Sequence, residues 1–236
     1  MILGTDISHW EDNPNTPQEI NFEVMKSAGA QFCIFKATQA KWTDRVFQIS
    51  WADCRGVLPR GAYCYLDWSI PAIEQAIYFC NAIKNDPPEL PPIVDFECRK
   101  NNPAGTTGQL WNWLTYVEEH TGKVPMIYTA PYYWYEFGGT NIAWKKYPLW
   151  IANYGVVKPF VPSPWTDFTF WQYTDKGDGK KYGCEALGVD LNWFYGDKEQ
   201  LDALCGITTP PTVPPSLQQK VDALYEQGKI HGWTLP

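Results

Sequence analysis

"PPIVDFECRK", residues 91–100, poses the question that decides the fold. Two prolines lead into a short apolar run, Ile93-Val94, that reads as a buried strand. Two acids, Asp95 and Glu97, end it. Residues two apart on a strand point the same way, so these carboxyls share a face, roughly 6.5 Å apart along the chain. Buried carboxylates are costly unless they are paired, protonated or used in chemistry. A strand that ends this way is expected to end at a site.

Working outward, strand-like runs recur at 2–5, 32–37, 61–66, 92–96, 124–129, 148–152, 168–173 and 188–191. Amphipathic segments of helical length separate the early ones. Segment 19–29 stops at Gly29. Segment 43–56 starts on a candidate cap, Thr43, and stops at Gly56. Segment 69–84 starts on Ser69, and segment 106–122 stops at Gly122. Strand and helix in alternation signal parallel βα units. Beyond about residue 130 the connections are too short or too rich in Pro and Gly for full helices. The pattern predicts an α/β fold: an irregular single-domain (β/α) barrel over residues 1–207, with eight strands and truncated later helices. The four prolines of "TTPPTVPPS" make 208–216 a stiff linker. Residues 217–236 read as a short helical tail, with Leu217, Val221 and Leu224 at helical spacing. That tail is too short to fold alone, and suits docking on the barrel, self-association or binding a partner.

Composition removes several function classes. The formal net charge is −7 and basic residues cluster only as adjacent pairs, so no nucleic-acid footprint is present. No apolar stretch of about 18 residues exists to span a membrane. No Gly-rich phosphate loop follows a strand. The opening "MILGTDISHW" lacks the basic and apolar regions of a secretory signal. Seven cysteines without a CxxC pair argue against structural zinc and for buried thiols of a reducing compartment. Aromatic residues reach 16 %, enough both to fill a core and to line a sugar-binding surface.

In a parallel barrel the C-terminal strand ends share one face, where chemistry concentrates. Read in order, those ends offer Asp6, Lys36, then Tyr63 and Tyr65 with Asp67 just beyond. Asp95 and Glu97, Tyr128, Asn153, Gln172 and Asp190 follow. Asp6 and Asp190 end the first and last strands, which become neighbours when a barrel closes. Four carboxylates then rim one cup. Like charges in a poorly solvated site cannot all ionise, so at least one carboxyl is raised and can act as a general acid. An acid, anionic neighbours and aromatic walls together suit glycosidic bond cleavage. Competing readings are an acid that merely pairs with Lys36 or caps a loop, and a cation site. The Gly-rich "DKGDGKKYG" at 175–183 lacks calcium-loop spacing, so neither a metal nor a cofactor is expected. His9, His120 and His231 are scattered, only His9 lies near the cup, and no Ser/His/Asp set is visible.

The segments "GTDISHW", "FCIFKATQA", "LPRGAYCYL", "LPPIVDFE", "VPMIYTAPYYW", "YPLWIANYG", "FTFWQYT" and "GVDLNWF" occur in that order. Together they make residues 1–202 resemble glycoside hydrolase family 25, the Chalaropsis-type lysozymes. The resemblance implies an irregular α/β barrel and an N-acetylmuramidase. Such an enzyme hydrolyses the β-1,4 bond between N-acetylmuramic acid and N-acetylglucosamine in peptidoglycan. It implies Glu97 as general acid and Asp95 as the acid that holds or polarises the substrate N-acetyl group, with Asp6 and Asp190 beside them. Lys36, Tyr63, Tyr65, Asp67, Tyr128, Trp150, Asn153 and Gln172 are then expected to bind substrate. Retention with N-acetyl participation is the preferred course; inversion, with Asp6 or Asp190 positioning water, stays open. The chain departs from the family pattern at Gln39-Ala40, where Glu-Gly is usual, and at Cys64, where His is usual. The expected partner is the peptidoglycan glycan strand. With no secretory signal read, the expectation is a phage endolysin held in the host cytoplasm until lysis, then acting on the bacterial wall. The alternatives are a non-catalytic glycan-binding or virion structural protein on the same barrel, or a chitinase-like hydrolase.

Overall fold

The computed structural model describes residues 1–16, 19–98 and 106–207. The linker at 208–216 and the tail at 217–236 expected from the sequence lie outside them. Eight strands close into a barrel: β1 (Ile2–Ile7), β2 (Cys33–Gln39), β4 (Arg60–Tyr65), β5 (Ile93–Asp95), β6 (Met126–Thr129), β7 (Leu149–Ala152), β8 (Phe170–Asp178) and β9 (Gly188–Phe194). β1 closes the ring by pairing with both β2 and β9. A two-residue strand, β3 (Trp42–Thr43), hangs on the rim as a hairpin with β2.

The eighth barrel strand differs from a parallel expectation. β9 runs antiparallel to both β8 and β1. Residues 179–187 join β8 to β9 directly, and a parallel return would need a crossover of a dozen residues or more. Strand reversal has a useful consequence. Asp190 sits near the start of β9, and that start lies on the same rim as the ends of the other strands.

Helices α1 (Phe22–Ser27), α2 (Phe47–Cys54), α3 (Ala72–Ile83) and α4 (Thr106–Thr121) cover the first half of the barrel. The later α5 (Pro131–Phe137) and α6 (Lys198–Leu204) are short, and single 3-10 turns stand at His9–Glu11 and Ile142–Lys146. The expected stops at Gly56 and Gly122 adopt φ of +77° and +69°, the left-handed geometry that glycine tolerates best. Two expected caps do not cap. Thr43 belongs to β3, and the Asp44 carboxylate accepts from the Val46 N–H just ahead of α2. The Ser69 N–H is taken by Asp67, and α3 begins three residues later. Its first N–H, on Ala72, is accepted by Gln109 of α4.

Phenylalanines close the barrel interior below the site. Phe32 and Phe194 each pack against Phe170, at ring separations of 5.0 and 5.2 Å. They come so near β1 that a Cβ on Gly4 would lie 2.4 Å from the Phe32 ring. At the opposite end from the acid rim, buried Arg60 binds both Asp86 and Glu89 and lies 4.3 Å over the Trp51 ring. Aromatic rings fill the space between this cluster and the acid rim.

Candidate active site

Register decides which side chains meet. Tyr65, Asp95, Tyr128 and Trp150 are consecutive partners across β4, β5, β6 and β7. Gln172 pairs with Asn192, and Asp6 with Asp190. Directly opposed residues share a sheet face, so this set forms one polar layer inside the rim.

Asp6 and Asp190 are joined through one amide. Gln172 Nε2 donates to Asp6 Oδ1 and Oδ2 at 3.1 and 2.9 Å and to Asp190 Oδ2 at 2.9 Å. Asn192 Nδ2 adds a bond of 2.7 Å to Asp6 Oδ2, and Asn192 is itself fixed by Trp150 Nε1–H at 2.8 Å. Gln172 Oε1 accepts from the hydroxyls of Tyr128 and Tyr154, at 2.8 and 2.6 Å. The two acids therefore separate in strength. Burial raises Asp6, but the amide donors pull it back to about 6. Burial, reinforced by the charges of Asp6 and Glu11, pushes Asp190 up to about 9. Near neutral pH Asp190 carries the proton and Asp6 the charge.

Asp95 and Glu97 occupy different depths. Asp95 ends β5 and is buried; Glu97 lies just past the strand and is half-buried. Burial, then the charge of Glu97, raises Asp95 well above the ordinary carboxylate range, while Lys36 opposes that rise. Burial, then Asp6, raises Glu97, again against Lys36. Asp95 Oδ1 accepts no hydrogen bond among the described residues.

Aromatic residues form both flanks. On one side Glu97, Tyr128, Asn153, Tyr154, Tyr132 and Phe160 line a cleft of about 390 Å³, with Tyr132 63 % and Phe160 56 % exposed. On the other, His9 lies tilted against Trp10 and edge-on to Trp42, with ring centres 4.5 and 6.4 Å away, and its Nδ1 bonds buried Asp44 at 2.7 Å. Trp10 is 73 % exposed. Among the described residues no three His, Cys, Asp or Glu side chains converge to hold a metal ion.

A barrel with a carboxylate-rimmed mouth can be compared with known proteins. Residues 5–181 match the family model for glycosyl hydrolases family 25. The chain belongs to this family. As a family 25 member it is a glycoside hydrolase. It is similar to lysozyme M1 of Streptomyces globisporus, with 31 % identity over 88 % of this chain and 72 % of that one. Among solved structures it is similar to the bacterial lysozyme of Streptomyces coelicolor. That likeness has a TM-score of 0.75 and 27 % identity, covering 88 % of this chain and 98 % of that one. The muramidase of Acremonium alcalophilum gives a TM-score of 0.73 and 27 % identity, over 87 % and 99 % of the two chains.

Within this family 25 barrel, the residues singled out in the sequence divide by accessibility. Asp6, Lys36, Tyr63, Asp95, Tyr128 and Asp190 meet in the cup, with Glu97 and Tyr65 at its mouth. Gln172, 2 % exposed, spends its whole amide on neighbours, and Trp150, also 2 % exposed, is floor rather than wall. The Asn153 carboxamide oxygen accepts from the Phe160 N–H at 2.9 Å and so fixes the loop that carries Phe160. Asp67 accepts from Ser69 in the turn before α3. The sequence reading missed Asn192, although "DLN" places it two residues from Asp190 on the same face. It also missed Glu11, although "SHWE" spells a capping box. Ser8 N–H and Oγ bond Glu11 Oε2 at 2.6 and 3.2 Å, and burial, offset by those bonds and aided by Asp6, pushes this acid up to about 7. Tyr132, Tyr154 and Phe160 were illegible as a set because only the folded loops bring them to one cleft.

Proposed function

We propose that this protein is a peptidoglycan muramidase that cleaves the β-1,4 bond between N-acetylmuramic acid and N-acetylglucosamine, with Glu97 as general acid and Asp95 as its assistant. The observation that carries this reading is the staggered pair of raised carboxyls: one open acceptor at the floor, one acid at the mouth of the aromatic cleft. Burial and the Asp6 charge disfavour the Glu97 anion, which suits Glu97 to pass a proton to the departing glycosidic oxygen. Asp95 Oδ1 accepts the acetamido N–H of the muramic acid, turning the acetyl oxygen toward C1. That oxygen attacks C1 as the glycosidic bond breaks, giving an oxazolinium ion with the positive charge spread over the new ring. Water then adds to C1, Glu97 takes its proton, and the acetamide re-forms with retained configuration. Substrate-assisted chemistry of this kind is a recognised departure from the two-carboxylate scheme. Asp6 supplies a fixed negative charge that favours the cationic transition state.

All seven cysteines are described, and all are thiols rather than half-cystines. This supports folding in a reducing compartment, as for an endolysin stored in the cytoplasm before it meets the wall. No helix of the described residues is long and apolar enough to cross a membrane. The deciding experiment measures reducing ends released from purified peptidoglycan and identifies the sugar that carries them. The expected new end is muramic acid, and Glu97→Gln is expected to lower kcat by about 10³-fold. A glucosamine end, or efficient cleavage of chitin oligomers, would replace the muramidase reading. Undiminished activity of Glu97→Gln would remove the acid assignment.

A further inference from the structure

Lys36 brings a cation into a cup of acids, yet among the described residues it makes no ion pair. Its Nζ donates to Gln39 Oε1 at 2.6 Å and lies 5.3 and 5.1 Å from the ring centres of Trp42 and Tyr65. The side chain is buried, and burial lowers its pKa while Asp95, Asp44, Cys64 and Glu97 oppose that fall. These contacts and charges come from β2 to β5: Gln39 on β2, Trp42 on β3 with Asp44 just after, Cys64 and Tyr65 on β4, Asp95 and Glu97 at the end of β5; β1, which also pairs with β2, brings Asp6 to the same cup. Asp44 is already engaged by His9. Cys64 is kept neutral, its thiol pushed up to about 12 by burial, and burial keeps Tyr65 neutral too. The cup acids that answer the ammonium charge are Asp95 and Glu97, which oppose the fall in its pKa, with Asp6 on neighbouring β1 beside them.

We propose that Gln39 is a positioning residue: its neutral amide holds the Lys36 ammonium beside Asp95 and Glu97 while leaving the cation's charge to them. A carboxylate at this position would sit within hydrogen-bond distance of the ammonium and neutralise it directly. The amide fixes the same geometry without that competition. Gln39 pairs in register with Trp42 across the β2–β3 hairpin, so one short hairpin supplies two walls of the cage. The inference rests on the reading of Asp95 and Glu97 given above.

The test is the pH dependence of kcat/KM for reducing-end release from peptidoglycan, for the natural chain and for Gln39→Glu and Gln39→Met, with thermal melts to verify folding. With Gln39→Glu, both limbs of the profile, which belong to the coupled acids together, are expected to move to higher pH by about one unit. Gln39→Met adds no charge but frees the ammonium. It should move both limbs the same way by less, with kcat reduced about tenfold and KM within twofold. Limbs that stay in place in both folded variants overturn the proposal, because a purely structural glutamine would change the melt and not the profile. Glu97→Gln separates the two claims. If it is inactive while the Gln39 variants keep the natural profile, only this inference fails. If it stays active, the acid assignment fails first.

Discussion

Gln172 shows how one neutral side chain sets the strength of two acids. Its amide hydrogens point at Asp6 and Asp190, and its orientation is locked because Tyr128 and Tyr154 both donate to its oxygen. Asp6 gains an extra donor from Asn192 and stays the stronger acid; Asp190 does not and retains its proton. Gln172→Leu keeps the volume and strips away these bonds. Leaving Asp6 and two tyrosine hydroxyls without their partner is expected to cost about 3 kcal/mol at pH 7, measured as the loss in urea unfolding free energy. A cost under about 1 kcal/mol would mean that the acids are solvated by another route.

At the scale of elements, two hairpins shape the site, and neither is a βα unit. The β8–β9 hairpin returns Asp190 to the rim. The β2–β3 hairpin turns tightly through Ala40, which is held at φ +50°. The left-handed region costs a non-glycine residue about 1–2 kcal/mol, whereas adding a glycine costs about 0.4–1 kcal/mol in unfolded-chain entropy. The first term is larger, so Ala40→Gly is expected to stabilise the protein by roughly 0.5–1 kcal/mol, read from the denaturant midpoint. A lower midpoint would show that the turn is not strained.

For the whole molecule, the acid cup makes stability depend on pH in an unusual direction. Asp190 is raised from 3.8 to about 9, Glu11 from 4.5 to about 7 and Asp6 from 3.8 to about 6. Between each pair of values the folded state binds more protons than the unfolded one, so stability falls as pH rises. Their contribution is complete below about pH 4 and is lost progressively up to about pH 9. Asp86 works oppositely: hydrogen bonds from Arg60 lower it, so its contribution is lost in acid. The expected optimum is mildly acidic. Asp190→Asn removes the widest of these windows, and the urea midpoint between pH 5 and 9 should become flatter than in the natural chain. An unchanged slope would place the raised proton elsewhere.

Local sequence was enough to place the eight barrel strands and most of the helix stops and to single out the four acids. Those features depend on short-range rules: apolar runs between turn residues, glycine at helix ends, and side chains that alternate along a strand. The same rules put Asp95 beside Glu97 and marked their strand as special. They could not show that the last strand runs backwards, that Gln172 is an internal tether rather than a wall, or that Lys36 is caged by neutral groups. They also could not collect Glu11, Asn192, Tyr154 and Phe160 from loops and strands far apart in the chain. Those outcomes depend on register and on burial. Both are fixed only when the barrel closes and water leaves the space between distant segments, and closure is what turns polar residues at strand ends into a set of acids of unequal strength.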